Sequence, residues 1–391
     1  MTQPTPVRCP AIEHPDLPLA DPAGLDPLLA RLAAGGAVEA DEAFPVGTLR
    51  ADGRVDLCKQ GLGPAGAARV VSAAAHSPLA RHLLLGTNSI GDEGARTLAD
   101  ALREGQSGGP DAGTPAGHGL HTLYLGCNRI GPEGVAALAG VLADDTTVRA
   151  LWLKRNPLRE DGARTLAALL RRNRTLRTLD LVNTGIEAGG VRLLLDALRE
   201  RGTPLERLFL GGNGLTAQAA PLLAALIREA GVRELYLPAN HLGDEGAAVL
   251  AEAAASDPAR PVRLGLGGNG IGPAGARALA DALGGIEALD LGRAMSERIL
   301  GSAGNTTGDE GAYALAAALP GSPLRRLELR HTGLTGRGAK GLLAAVPDRS
   351  PLEYVGLGPG LPRKVKRSFT TRLRPARPAH PDLAAITSVY R

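Results

Sequence analysis

Three stretches carry the Gly-x-Gly-x-x-Gly spacing that can cradle a dinucleotide: Gly61 to Gly66, Gly265 to Gly270 and Gly270 to Gly275. That chemistry needs glycines so that backbone amides at a helix start approach a pyrophosphate, and an acidic residue about twenty positions later for the ribose. Here the glycines fall where a longer period puts them, since Gly94, Gly134, Gly246 and Gly311 hold the same place in other stretches. His118 and His121 form an HxxH with no third ligand nearby and read as solvated side chains. Walker A, HExxH and GxSxG patterns are absent, and nothing resembles a triad or paired carboxylates. The sequence therefore assigns no catalytic, cofactor-binding or metal-binding residue, and no cofactor is expected. What remains is the chemistry of contact.

The period behind those glycines is spelled out by Leu120 to Leu142, LHTLYLGCNRIGPEGVAALAGVL. Leu123, Tyr124 and Leu125 alternate as a strand does, and Val135, Leu138, Ala139 and Leu142 follow at helical spacing. The Asn of this unit recurs as Gln60, Asn88, Asn128, Asn156, Thr184, Asn213, Asn240, Asn269, Asn305, Thr332 and Gly360, in steps of 27 to 29 residues apart from two of 40 and 36. A strand and helix of this size cannot bury its leucines alone, so the units must stack, strands inside and helices outside. The Asn leaves the strand where the chain turns and can satisfy the backbone groups freed there; Thr184 and Thr332 can do part of that work.

The spelling LxxLxLxxNxIGxxGAxxLAxAL, nearly whole in LYLPANHLGDEGAAVL from Leu235, resembles the ribonuclease-inhibitor type of leucine-rich repeat. That family includes ribonuclease inhibitor, Ran GTPase-activating protein and the sensor region of NOD-like receptors, and the resemblance covers roughly residues 50 to 360. It implies an α/β solenoid, a horseshoe of about eleven repeats with parallel concave strands and convex helices. The organisation expected is a tail and capping segment over residues 1–49, the solenoid over 50–360, and a basic cap helix and tail over 361–391.

Residues between the strand leucines must then point into the concave face. The central row holds Tyr124, Trp152, Phe209 and Tyr236, four of the nine aromatics in the chain. Beside it lie Arg207, Arg263, Arg326 and Arg330. These eight residues are the expected partner-binding set, because exposed aromatics give contact area at low entropy cost. Acids at Asp180, Glu234, Asp290 and Glu328 suit the face to a mixed-charge protein surface better than to a phosphate backbone. Lying outside the leucine core, Trp152 is expected to be replaceable by Ala at little cost to stability.

Near the N-terminus, Asp21 and Pro22 predict a helix start, with Leu25, Leu28, Leu29 and Leu32 as its apolar stripe, and Asp52 and Gly53 predict a hairpin turn. The first long step, Glu104 to Gly119, reads as a Gly- and Pro-rich linker; the second, Arg293 to Thr306, carries Met295, Ile299 and Leu300 and is a contact candidate. After Pro362 a helix is expected with Val365, Phe369 and Leu373 on one side, followed by an extended tail from Pro375. Residues 361–391 contain eight Lys or Arg and one Asp, within a chain of net charge +4.

Three cysteines without metal-like spacing, no secretory leader and no apolar span predict a soluble, cytoplasmic chain, and a monomer is expected. The leading expectation is a non-enzymatic module gripping an as yet unidentified protein. The resemblance also implies a GTPase-activating role on a small GTPase, against which the basic end departs from the acidic segment of Ran GTPase-activating protein. A third reading attaches the basic tail to nucleic acid, which the mixed charge disfavours, or to an anionic membrane.

Overall fold

The structure, a computed structural model, describes residues 17–106, 118–348 and 350–389. Most of the Glu104 to Gly119 linker lies outside them, as do the first sixteen residues. The described chain forms two compact units, one of residues 17–205 with 379–389 and one of residues 206–378.

The first unit opens with the helix Asp26–Ala34, which buries Leu28 and Leu32 behind a turn where Asp21 Oδ1 accepts from Ala23 N at 3.0 Å. Strands β1 (Glu42–Ala43), β2 (Thr48–Leu49) and β3 (Arg54–Asp56) pair antiparallel, with Leu49 opposite Val55. The β2–β3 turn uses Asp52, which accepts from Arg54 N, and Gly53 at a φ of 83°, where a Cβ would be strained. From β3 onward the pairing is parallel, through β4 (His82–Leu84), β5 (Thr122–Tyr124), β6 (Ala150–Trp152) and β7 (Thr178–Asp180). Val55, Leu83, Leu123, Leu151 and Leu179 line up in that register and are all fully buried beneath outer helices such as Pro132–Leu142 and Arg159–Arg172. Each such burial contributes about 2 kcal/mol.

The second unit repeats the design with β8 (Arg207–Phe209), β9 (Glu234–Tyr236), β10 (Val262–Gly265), β11 (Ile286–Asp290), β12 (Arg326–Glu328) and β13 (Tyr354–Gly356), each paired parallel with the next. The helix Arg363–Thr370 closes it, burying Val365 and Phe369, while Leu373 is half-buried.

The recurring Asn binds each repeat to the one before. Asn156 is fully buried; its Nδ2 donates to the carbonyls of Leu125 and Leu153, and its Oδ1 accepts from the amides of Asn128 and Ile130. Thr184 and Thr332 bond the carbonyls of Leu181 and Leu329 through their hydroxyls.

The recurring Gly has a similar explanation. Asp92 Oδ1 accepts from the amides of Gly131 and Gly134 at 2.6 and 3.0 Å, capping the next repeat's helix, and a Cβ on Gly134 would stand 2.5 Å from that oxygen. Asp244 does the same for Gly272 and Gly275. In the Gly270 to Gly275 stretch, the amides that would cradle a phosphate are thus already bonded to a carboxylate.

In the second long step, Ala294 and Leu300 fold back onto Ala239, whereas Met295 is fully exposed and Ile299 largely so. The end of the chain departs from the extended tail expected of it. Pro381–Ala384 is a short helix, followed by turns, and this segment belongs to the first unit.

Candidate partner-binding face

In the second unit, charged residues on the strands and just ahead of them form a ladder of alternating charge. Arg207 Nε lies 3.0 Å from Glu234 Oε1, Arg263 Nη1 lies 3.5 Å from the same oxygen, and Arg263 Nε bonds Glu287 at 2.8 Å. Glu287 also meets Arg325, Arg325 pairs with Glu353, and Glu353 reaches Arg377. The side chains of Arg207 and Glu234 are only 7% and 8% exposed, so Arg207 acts mainly on its own sheet. A carboxylate shared between adjacent strands keeps these guanidinium groups from being buried unpaired.

Next to the ladder, the rings of Phe209 and Tyr236 stack at 4.4 Å with 9° between their planes. Tyr236 donates to Glu234 at 2.9 Å, and burial together with that carboxylate pushes its phenol above the ordinary tyrosine value. Gly265, one strand further on, leaves room for the ring, since a Cβ there would meet Tyr236 Cδ1 at 2.7 Å. Both rings are half-exposed. Arg326 and Arg330 are exposed: Arg326 lies over the Tyr354 ring at 4.7 Å, and Arg330 bonds Glu328 and the Tyr354 hydroxyl. Burial alone would raise the Glu328 carboxyl, but those hydrogen bonds outweigh it and hold it low.

The first unit differs. Tyr124 and Trp152 sit side by side on paired strands, with centroids 6.4 Å apart, but they are 2% and 0% exposed. The open aromatic stripe expected across both units is therefore open only at Phe209 and Tyr236. Lys154 Nζ lies 5.8 Å from the Tyr124 centroid, and burial lowers its ammonium from the usual lysine value.

What crosses this face is the segment 379–389. Thr178 Oγ1 donates to Asp382 Oδ2 at 2.7 Å, Ser388 Oγ donates to Asp56 Oδ2 at 2.8 Å, and Arg54 Nη1 reaches Thr387 Oγ1 at 3.4 Å. The segment thus runs from β7 to β3, with Ala385 and Ile386 buried between its anchors. Sequence reasoning missed it. The available signal was Asp382, the single acid among residues 361–391.

His118, expected in solvent, is buried: its Nε2 lies 3.0 Å from Asp145 Oδ2 and its Nδ1 3.0 Å from Thr147 Oγ1. Burial would raise the Asp145 carboxyl, yet the bonds from His118 and from the amides of Val148 and Thr147 bring it down to about 2. His121 stands apart from that pair, half-buried and edge-on to His82 at 6.2 Å. Among the described residues no group of His, Cys, Asp and Glu is arranged to hold a metal ion. The Cys58 thiol is pushed up to about 12 by burial and by Asp56, which makes it a poor nucleophile.

Comparison with known proteins adds to this geometry. The Leucine Rich repeat family matches residues 120–139, 172–195 and 262–280. RAN GTPase-activating protein 2 of Arabidopsis thaliana is 33% identical over 107 residues, which is 27% of this chain and 20% of the relative's own length. Among solved structures, the Rad7 and Elc1 complex of yeast contains a chain 15% identical, aligned over 78% of this chain and 70% of that one, with a TM-score of 0.46. An internalin of Listeria monocytogenes is 14% identical over 92% of this chain and 94% of that one, with a TM-score of 0.39. A strand, a buried Asn bonded into the preceding repeat and an outer helix opened by glycine recur along the chain, and with the family's three matches they make it a leucine-rich repeat protein of the ribonuclease-inhibitor type.

Proposed function

We propose that the chain is a non-enzymatic module that binds a protein partner through the strand faces of its repeats. The observation that carries this reading is the Phe209–Tyr236 stack, held half-exposed by Glu234 and Gly265, with the exposed Arg326 and Arg330 further along the same sheet. Two rings locked against each other have little rotamer freedom left to lose, so burying them under a partner is cheap in entropy. Arg263 joins this surface in part, Arg207 supports it from within the charge ladder, and Tyr124 and Trp152 contribute only where their face is uncovered. The partner suited to it has an apolar anchor within a surface of mixed charge. A reducing, cytoplasmic setting fits the free thiols of Cys58 and Cys127, and among the described residues no helix is long and apolar enough to cross a membrane.

The test is a pull-down with the full-length chain, followed by affinity measurements on each recovered protein. Tyr236→Ala should weaken binding by about 2 kcal/mol, close to thirtyfold. Unchanged affinity would sink the assignment. The match to the Arabidopsis protein favours a second reading, in which the partner is a small GTPase whose hydrolysis is accelerated. Single-turnover GTP hydrolysis with and without the chain separates the two, because a binding module leaves the rate unchanged.

A further inference from the structure

The same row of the strand face is built differently in the two units. In the second it carries Arg207, Glu234, Arg263, Ala288, Arg326 and Tyr354, bulky at every strand but one; in the first, the paired positions after His82 are Thr122, Ala150 and Thr178, small on three strands in succession. Small side chains on three adjacent strands leave a trough, and the segment 379–389 lies across it. Thr122, Ala150 and Thr178 are fully buried, as are Leu84 and Trp152 in the neighbouring row. Those positions face away from the leucine core, so their burial needs a cover on the strand side.

The cover is specific in its chemistry. Asp382 is buried with its carboxylate on the Thr178 hydroxyl, and its amide is capped by His380 Nδ1 at 3.2 Å. Ile386, four residues on and therefore on the same side of a helical turn, is 2% exposed. Ser388 and Thr387 then bond Asp56 and Arg54 at the far edge. An acidic residue followed four positions later by an aliphatic one is what the trough accepts.

We propose that this trough is a peptide-binding site which the chain fills with its own segment 379–389, and that a partner presenting an acidic residue and an aliphatic one at that spacing on a helical turn displaces it. The inference rests on the strand-face reading above and supplies its regulation. The first unit is closed until a competitor arrives, while the Phe209–Tyr236 surface stays open. A face whose competent state is only a fraction of the population binds an added ligand more weakly by that fraction.

The test uses the full-length chain and a fluorescent peptide with the sequence of residues 379–389. Ile386→Asp places a charge where an aliphatic group is buried and should release the segment. The peptide should then bind this variant at least tenfold more tightly than wild type. Trp152, the single tryptophan in the chain, should shift its emission to the red in the variant and shift back as peptide is added. Circular dichroism checks that the fold is retained; if Ile386→Asp does not fold, Ser388→Asp, which sets a second carboxylate against Asp56, takes its place with the same readouts. Equal binding to both chains, or binding to neither, would overturn the proposal, as would Trp152 exposure with no affinity for the peptide. Tyr236→Ala lies outside the trough, so its effect on partner affinity judges the strand-face reading separately.

Discussion

Trp152 shows how a residue's role follows from what lies on both sides of it. Its strand position puts it opposite the leucines, and from that alone it would be a surface aromatic tolerant of replacement. In the structure it is fully buried beside Tyr124, so Trp152→Ala removes a large packed ring and should cost about 3 kcal/mol or more in denaturant melts. A cost within about 0.5 kcal/mol would mean the ring is in solvent after all. Asp145 gives a second prediction. Its folded carboxyl is depressed to about 2, below the ordinary aspartate range, so the unfolded chain takes up its proton first as pH falls. The stabilisation, about 2 kcal/mol, is complete above the unfolded value and is lost as pH drops toward 2. The stability gap between wild type and Asp145→Asn should therefore shrink below about pH 4. A gap that stays level from pH 5 to pH 2 would remove the contact with His118 from the account.

Among the elements, those read correctly from sequence are held by local signals. The Asn, the paired glycines and the alternating leucines each act within one repeat or against the next, so their spacing already encodes the bonds they make. The helix Arg363–Thr370 was legible in the same way, from apolar residues four apart. It buries Val365 and Phe369 and leaves Arg363, Lys364 and Arg367 exposed. Phe369→Ala should accordingly cost on the order of 3 kcal/mol, whereas Lys364→Ser with Lys366→Ser should cost far less, since Lys364 is exposed and Lys366 makes a surface bond to the Pro359 carbonyl. Equal costs would show that the helix does not cap the last repeat. The charge ladder was half legible. Glu234 and Arg263 hold strand positions that alternate with the leucines, whereas Glu287, Arg325 and Glu353 stand one residue earlier, where the alternation assigns no inward-facing side chain.

At the scale of the whole molecule, what escaped the sequence is contact between residues far apart in it. Thr178 and Asp382, or Asp56 and Ser388, share no period, and nothing in either neighbourhood names the other. The distribution of charge was fully legible, and it separates the remaining readings by magnitude. Residues 361–391 carry +7 of a total of +4, so the remainder is −3. If that basic end gripped a phosphate backbone through six or more of its cations, affinity would fall about 10³- to 10⁵-fold between 50 and 200 mM salt. The strand face predicts otherwise. Its ladder runs Arg207, Glu234, Arg263, Glu287, Arg325, Glu353, with each charge answered by the next strand, so few counterions are released when a partner covers it. Exposed charges left to steer the encounter, such as Arg326 and Asp290, are of both signs. Affinity for a partner recovered by pull-down should thus change by less than about tenfold over that salt range, mostly through the association rate. A steeper fall, abolished by replacing Arg363, Lys364 and Arg367 with Ser, would move the interface from the strands to the basic helix.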